Sequence, residues 1–197
     1  MGLILASASP RRQELLRNAG ILFTVQAADI SEIPIAGESP QACAQRLAAE
    51  KARAVFQRNS DKYVLGADTI VVIDGEILGK PRNDEDAERM LRLLSGRIHQ
   101  VITGVCLLGP RAENSKVTRA FEEVQSEQTA VFMSEVSDED IRKYIVTKEP
   151  EDKAGAYAIQ GMASRWIYRI EGDYSNVVGL PISLVYRMLR ARGFSEV

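Results

Sequence analysis

The chain has 197 residues, a formal net charge of −2 and 45% hydrophobic residues, a balance typical of globular proteins. This length predicts one domain, 1–197, with a sizeable core. The chain has 25 basic and 27 acidic residues. Because binding to a nucleic-acid polymer requires a marked excess of basic residues, we expect no such binding. No apolar run reaches the roughly 20 residues that span a bilayer, and the N-terminus has no signal-peptide pattern, so no membrane association is expected.

Cysteine and histidine usage narrows the possible chemistry. Cys43 and Cys106 fit no metal-binding spacing, and they predict reduced core residues of a cytoplasmic protein rather than a disulfide. His99 is the only histidine, and a single histidine is more often structural than catalytic. We therefore expect any chemistry to depend on carboxylates, lysines and arginines.

The stretch Leu3–Arg12 predicts a buried strand, a tight turn and the start of a helix, with Ser9 as N-cap and Pro10 at the first helical position. Arg11 and Arg12 then occupy the first helical turn, where the helix dipole favours acids. Hydroxyls, N–H groups and guanidinium groups at one helix start predict an anion site, with phosphate as the obvious anion. The alternative is an ordinary capped helix with two solvated arginines.

The helix is expected to end near Gly20, and Ile21–Ala27 reads as a strand. Glu32 follows in an acidic loop, as either a metal ligand or a solvated charge. The next predicted helix, Gln41–Arg58, carries Lys51 in its apolar stripe. A buried ammonium needs a partner, which is either a carboxylate of the protein or a bound phosphate.

Asp68 lies within an apolar run that predicts a strand over Tyr63–Ala67, which runs straight into Asp68-Thr69 and continues over Ile70–Ile73. A hairpin turn is expected next, at Asp74-Gly75. A buried carboxylate needs a metal, a cation or a proton, so Asp68 is either a general base or metal ligand, or a salt-bridged structural residue. Gly66 is expected to let a ligand approach the backbone.

The segment Gly75–Pro81 resembles a phosphate-binding P-loop only superficially. It has one residue too few between the glycines, and proline stands where a Ser or Thr would meet Mg²⁺. A P-loop NTPase is therefore excluded, although Lys80 remains a candidate phosphate contact.

Over Glu149–Gly161, small residues and two glycines allow close backbone approach, while Asp152, Lys153 and Gln160 supply polar groups. This combination predicts either one wall of a binding cleft or a glycine-rich surface loop. The remaining predicted elements are a capped helix from Asn83 to Gly96, strands over Gln100–Leu108 and Val117–Ser134 separated by a turn around Pro110–Ser115, a helix capped by Ser137, strands over Trp166–Ile170 and Val177–Leu180, and a terminal helix from Pro181 to Gly193.

Five segments, in order along the chain, resemble the Maf family of nucleoside triphosphate pyrophosphatases, also described as septum-formation inhibitors. They are Ser7–Arg12, Glu50-Lys51-Ala52, Gly66–Thr69, Gly79-Lys80-Pro81 and Asp152–Gly161. The resemblance implies an α/β fold with a long mixed β-sheet, flanking helices and two lobes around a central cleft, as in the inosine triphosphate pyrophosphatases. It also implies hydrolysis between the α- and β-phosphates with a divalent cation, Mg²⁺ or Mn²⁺, and suggests a homodimer.

The resemblance further implies residue roles. Asp68 matches the catalytic proton acceptor, Glu32 matches an acid near the metal, and both are expected to bind the metal. Phosphate-handling positions are matched by Ser7, Arg12, Lys51 and Lys80. Base-selecting positions are matched by Arg11, Thr69 and Gln160, which resemble the dTTP/UTP branch of the family.

Two other functions stay open at this point. One is a nucleotide-binding regulator of cell division that acts through a protein partner, and the other is a pyrophosphatase for modified purine nucleotides. The sequence does not distinguish dTTP from UTP or modified pyrimidines, nor nucleotide-pool cleansing from division arrest.

Overall fold

A computed structural model describes residues 2–110 and 120–194. It divides into two compact units. Unit 1 comprises Met1–Asp68, Thr103–Glu127 and Gly179–Val197, and unit 2 comprises Thr69–Ile102 and Gln128–Val178. The turn expected around Pro110–Ser115 and the start of the strand expected at Val117 lie largely outside the described residues.

Strands and helices are mixed along the chain. The strands are β1 (Leu3–Leu5), β2 (Thr24–Val25), β3 (Tyr63–Ile73), β4 (Glu76–Leu78), β5 (Ile98–Gly109), β6 (Phe121–Met133) and β7 (Ile167–Glu171). The helices are α1 (Pro10–Asn18), α2 (Pro40–Phe56), α3 (Asp84–Leu94), α4 (Asp138–Val146), α5 (Tyr174–Val178) and α6 (Ile182–Ala191), with short 3₁₀ helices at Ala154–Ala156 and Met162–Trp166.

The strands form a seven-stranded sheet in the order β2-β1-β3-β5-β6-β7, with β4 paired to β3. Strand β1 runs parallel to β2 and β3, whereas β4 is antiparallel to β3 and β7 is antiparallel to β6. Strands β3, β5 and β6 each contribute residues to both units. This mixed sheet with accompanying helices confirms the predicted α/β class.

In unit 1, helix α2 lies unusually close to the sheet because glycines face its small residues. A Cβ on Gly66 would lie 2.2 Å from the carbonyl oxygen of Ala48, and one on Gly104 would lie 2.1 Å from that of Ala44. The expectation that Gly66 leaves room for a ligand is therefore wrong, since the helix backbone fills that space. This close packing holds Lys51, on the same helix, against the sheet.

In unit 2, the predicted hairpin turn is confirmed. Asp74 and Gly75 both have positive φ, 51° and 82°, and Ile73 pairs with Glu76 across the turn. Two residues of this geometry match the twist of antiparallel strands, as in a type I′ turn.

Two strand predictions differ from the structure, one in part and one entirely. Only Thr24–Val25 pairs within the segment expected as the strand Ile21–Ala27. The strand expected over Val177–Leu180 is wrong, because Tyr174–Val178 forms helix α5. There Asn176 is fully buried and donates to the carbonyl of Val101 at 3.0 Å and to Thr129 Oγ1 at 2.9 Å, tertiary bonds that override the strand preference of the valines.

Other predictions hold. Cys43 and Cys106 are free and buried, and Gly20 ends the first helix with φ of +71°. Ser39, Asn83 and Ser137 cap α2, α3 and α4 by accepting backbone N–H bonds. Among the helices of residues 2–110 and 120–194, none combines the length and apolar character needed to cross a membrane.

Candidate active site

The carboxylate of Asp68 meets the ammonium group of Lys51 in unit 1. Asp68 Oδ1 lies 2.5 Å from Lys51 Nζ, and both residues are buried, at 6% and 7% exposure. Asp68 follows Gly66 by two positions on β3, so both face α2, because strand side chains alternate between the two faces. Lys51 thus has a protein carboxylate as partner, one of the two kinds of partner that its burial predicts.

Glu32 reaches the same ammonium from the loop after β2. Its Oε1 lies 2.7 Å from Lys51 Nζ, and its side chain is 41% exposed. One cation is therefore shared by two carboxylates, one buried and one open to solvent. Because both oxygens contact a single nitrogen, the two carboxylates converge on one point.

This convergence bears on the expected divalent cation. Within residues 2–110 and 120–194, no group of three or more His, Cys, Asp or Glu side chains is placed to hold a metal ion. Two carboxylates nevertheless fit Mg²⁺, which commonly takes one or two protein carboxylates and completes its shell with water and substrate phosphates. Glu32 and Asp68 are thus chemically suitable ligands.

The serine and arginines of the first turn form a second cluster in unit 1. Arg12 is buried and donates from Nη1 to Ser7 Oγ at 3.1 Å and from Nε to the carbonyl of Gly179 at 2.8 Å. Ser7 Oγ also accepts the N–H of Ser9 at 3.2 Å. Ser9 occupies the N-cap position, but the expected side-chain capping bond is absent.

Electrostatics link this cluster to the carboxylates. Burial lowers the pKa of Arg12, the charges of Asp68 and Glu32 partly oppose that shift, and the charge of Arg11 reinforces it. Arginine keeps its charge despite such a shift because its ordinary pKa is so high. Two arginines, a lysine, a serine hydroxyl and two carboxylates therefore share one electrostatic environment, which can bind an anion and accept a proton.

The other three predicted site residues belong to unit 2. Thr69 follows Asp68 on β3 and is half-buried, whereas Lys80 and Gln160 are exposed. The carbonyl of Gly79, beside Lys80, accepts the N–H of Gly155 at 3.1 Å. This backbone hydrogen bond joins the Gly-Lys-Pro turn to the segment that carries Gln160, and both lie in unit 2. That Thr69, Lys80 and Gln160 act in one site with the residues of unit 1 stays a prediction.

A buried histidine supports the Gln160 segment, and sequence reasoning did not identify this contact. His99, 1% exposed, lies with Nε2 2.7 Å from the hydroxyl of Tyr157, and burial lowers the pKa of His99 to about 4. The structural role expected of His99 is confirmed. The two residues lie 58 positions apart, so no local pattern could have paired them.

Known proteins similar to this chain cover nearly all of it. The family model described as "Maf-like protein" matches residues 2–192. The dTTP/UTP pyrophosphatase of Koribacter versatilis (strain Ellin345) is 57% identical, over 98% of this chain and 95% of the relative. The dTTP/UTP pyrophosphatase of Symbiobacterium thermophilum (strain DSM 24528 / JCM 14929 / IAM 14863 / T) is 51% identical, over 98% and 94%.

A solved structure shares the fold at much lower sequence identity. The Staphylococcus aureus Ham1 protein aligns with a TM-score of 0.51 and 14% identity, covering 98% of this chain and all of that one. At this identity the likeness concerns the fold alone. The family match and the full-length relatives, by contrast, cover the segments Ser7–Arg12, Gly66–Thr69 and Asp152–Gly161, and they show that this chain belongs to the Maf family.

Proposed function

We propose that this protein is a nucleoside triphosphate pyrophosphatase that hydrolyses dTTP and UTP to the monophosphate and pyrophosphate. Its relatives of about 50% identity carry that activity in their names. The observation that carries the proposal is the buried contact between Asp68 and Lys51, with Glu32 on the same ammonium. It sets a proton-accepting carboxylate beside cations that suit a triphosphate.

The proposed reaction is one displacement by water. Asp68 accepts a proton from a water molecule while the oxygen of that water attacks the α-phosphorus. The bond between the α-phosphorus and the oxygen that bridges to the β-phosphate breaks, and pyrophosphate leaves with this bridging oxygen. The side chains that hold the triphosphate and offset its growing negative charge are those of Ser7, Arg12, Lys51 and Lys80. When phosphate enters, Lys51 exchanges a carboxylate contact for a phosphate oxygen, which leaves Asp68 to act on water.

Glu32 and Asp68 would hold the divalent cation, Mg²⁺ or alternatively Mn²⁺. When bound, it neutralises charge on the phosphates as pyrophosphate forms. This assignment rests on the convergence of the two carboxylates at Lys51 and on the oxygen preference of these ions.

Base selection is assigned to Arg11, Thr69 and Gln160. The amide of Gln160 offers one donor and one acceptor, which pair with the adjacent acceptor and donor on the edge of thymine or uracil. On the family resemblance we further propose that one domain over residues 1–197 acts as a homodimer on free nucleotides. The two cysteines, read as reduced core residues, support a cytoplasmic location as part of this proposal. Light scattering of the purified protein tests the dimer.

Pyrophosphate release tests the activity. Purified protein with Mg²⁺ is given dTTP, UTP, dCTP, ATP and GTP, beside Asp68→Asn and the control Asp61→Asn, which alters an exposed aspartate. We expect dTTP and UTP to react fastest, Asp68→Asn to lower kcat by about 10²–10⁴-fold with little change in KM, and Asp61→Asn to match the parent.

Each contrary result has a distinct meaning. Near-normal turnover by Asp68→Asn would refute its role as base. Release confined to purine nucleotides would keep the reaction and reject the base assignment. Tight binding without any turnover would favour the nucleotide-binding regulator instead.

A further inference from the structure

Glu149 holds the backbone next to Gln160. It lies beyond α4, and both its carboxylate oxygens are 3.1 Å from the backbone nitrogen of Met162. Oε1 also accepts the hydroxyl of the fully buried Tyr144 at 2.8 Å. One side chain thus ties the backbone two residues after Gln160 to the core of unit 2.

The carboxylate also packs directly on Gly161. A Cβ on that residue would lie 1.9 Å from Glu149 Oε1 and 2.4 Å from its Cδ. Glycine is therefore required there for the carboxylate to reach the Met162 N–H. The residue that immediately follows Gln160 thus has no space for a side chain beside the Glu149 carboxylate.

Gln160 lies in the turn that this contact fixes. The carbonyl of Ala158 accepts the N–H of Gly161 at 3.1 Å, so Ile159 and Gln160 are the central residues of a four-residue turn. Before the turn, Tyr157 is held by His99 at 2.7 Å, and after it Met162 is held by Glu149. The exposed side chain of Gln160 therefore projects from a backbone that is anchored on both sides.

We propose that Glu149 is a positioning residue that sets base selectivity by fixing the orientation of Gln160. The inference rests on the proposed function, in which Gln160 pairs with the pyrimidine. Two parallel hydrogen bonds to a base edge demand a placement accurate to about 0.5 Å, and such accuracy comes from supporting contacts behind the reading side chain. Glu149 supplies that support through its bonds to the Met162 N–H.

The test compares base selectivity, defined as the ratio of kcat/KM for dTTP to that for dCTP. This readout separates positioning from stability, because a smaller folded fraction lowers kcat/KM for both nucleotides equally. The variants are Glu149→Gln, Gln160→Ala and the double variant, with Glu151→Gln as control. Glu151 lies two residues away and forms an exposed ion pair with Lys148.

We expect Glu149→Gln to lower the selectivity ratio at least fivefold, because its amide keeps one acceptor where the carboxylate has two. Gln160→Ala should lower the ratio at least as far. The double variant should match Gln160→Ala alone, since Glu149 acts through Gln160. Glu151→Gln should leave the ratio unchanged. Should Glu149→Gln fail to fold, Tyr144→Phe removes one bond to the same carboxylate and should lower the ratio at least twofold.

Failure of the inference is distinguishable from failure of the proposed function. An unchanged ratio in Glu149→Gln, or in Tyr144→Phe if that variant is needed, would overturn the inference alone, provided that Gln160→Ala lowers the ratio. A double variant whose selectivity ratio falls twice as far as that of Gln160→Ala would also overturn the inference. A parent protein without preference for dTTP over dCTP would overturn the proposed function, and the inference with it.

Discussion

Breaking the Lys51–Asp68 contact from either side should have unequal costs. The variant Lys51→Met removes the ammonium group that lies 2.5 Å from Asp68 Oδ1. The buried carboxylate of Asp68 is then left without this cation and close to the carboxylate of Glu32. Removing one partner of a buried ion pair lowers the free energy of unfolding by about 3–5 kcal/mol. We expect about 3 kcal/mol for Lys51→Met, the lower end of this range, because the site is partly open to solvent at Glu32. In Asp68→Asn the ammonium keeps Glu32, so we expect only about 1–2 kcal/mol.

A double-mutant cycle measures the coupling. Urea unfolding followed by far-ultraviolet circular dichroism gives the free energy of unfolding for the parent, both single variants and the double variant. Because the second change removes the charge that the first left uncompensated, the double variant should be more stable than additivity predicts by about 2 kcal/mol. The cycle is run without nucleotide or metal.

The control pair is Lys143 and Glu139, one helical turn apart on α4. Their contact is almost as short, at 2.6 Å, but the side chains are 66% and 73% exposed. An exposed pair of this spacing is worth about 0.3–0.5 kcal/mol, because solvent screens the charges. Additivity within about 0.5 kcal/mol at Lys51 and Asp68 would refute the reasoning, since burial would then confer no coupling beyond that of the surface pair.

Two further predictions concern packing and pH. Gly66→Ala should lower the free energy of unfolding by about 3 kcal/mol, because the added Cβ would lie 2.2 Å from the carbonyl oxygen of Ala48. The control is Gly2→Ala, where an added Cβ meets no atom within 4 Å. In the same urea assay it should change the free energy of unfolding by less than about 0.5 kcal/mol. His99, whose pKa burial lowers to about 4, should make stability pH-dependent. The unfolded chain takes up a proton below about pH 6.5, so this stability is complete above pH 6.5 and falls by about 3 kcal/mol towards pH 4. Thermal unfolding of His99→Gln across this range should lack that fall, and a parallel fall in both proteins would exclude His99 as its source.

Local patterns along the chain were sufficient to predict most of the elements. Ser39, Asn83 and Ser137 mark helix starts, Gly20 marks a helix end, and Asp74-Gly75 marks a hairpin turn. Each of these signals depends on residues at most four positions apart. The strand predicted over Val177–Leu180 is wrong because its conformation does not depend on neighbouring residues alone. Asn176 bonds to residues far away along the chain, and these bonds favour helix α5.

The candidate site was partly predictable in the same sense. Lys51 and Asp68 stood out because a charge within an apolar pattern must find a partner, and burial of both is confirmed. The sequence did not say that they partner each other or that Glu32 joins them, because the closeness of α2 to the sheet depends on Gly66 and Gly104 facing that helix.

The sequence by itself therefore determined the family, the α/β class, most helix ends and turns, and the burial of Arg12, Lys51 and Asp68. Only the tertiary structure decided that Gly66 serves helix packing, that Lys51 is shared by Asp68 and Glu32, and that Glu149 and His99 anchor the backbone on either side of Gln160. The physical reason is distance along the chain. Caps, turns and apolar periodicity are fixed by neighbouring residues, whereas ion pairs and close backbone contacts arise only when segments tens of residues apart pack together.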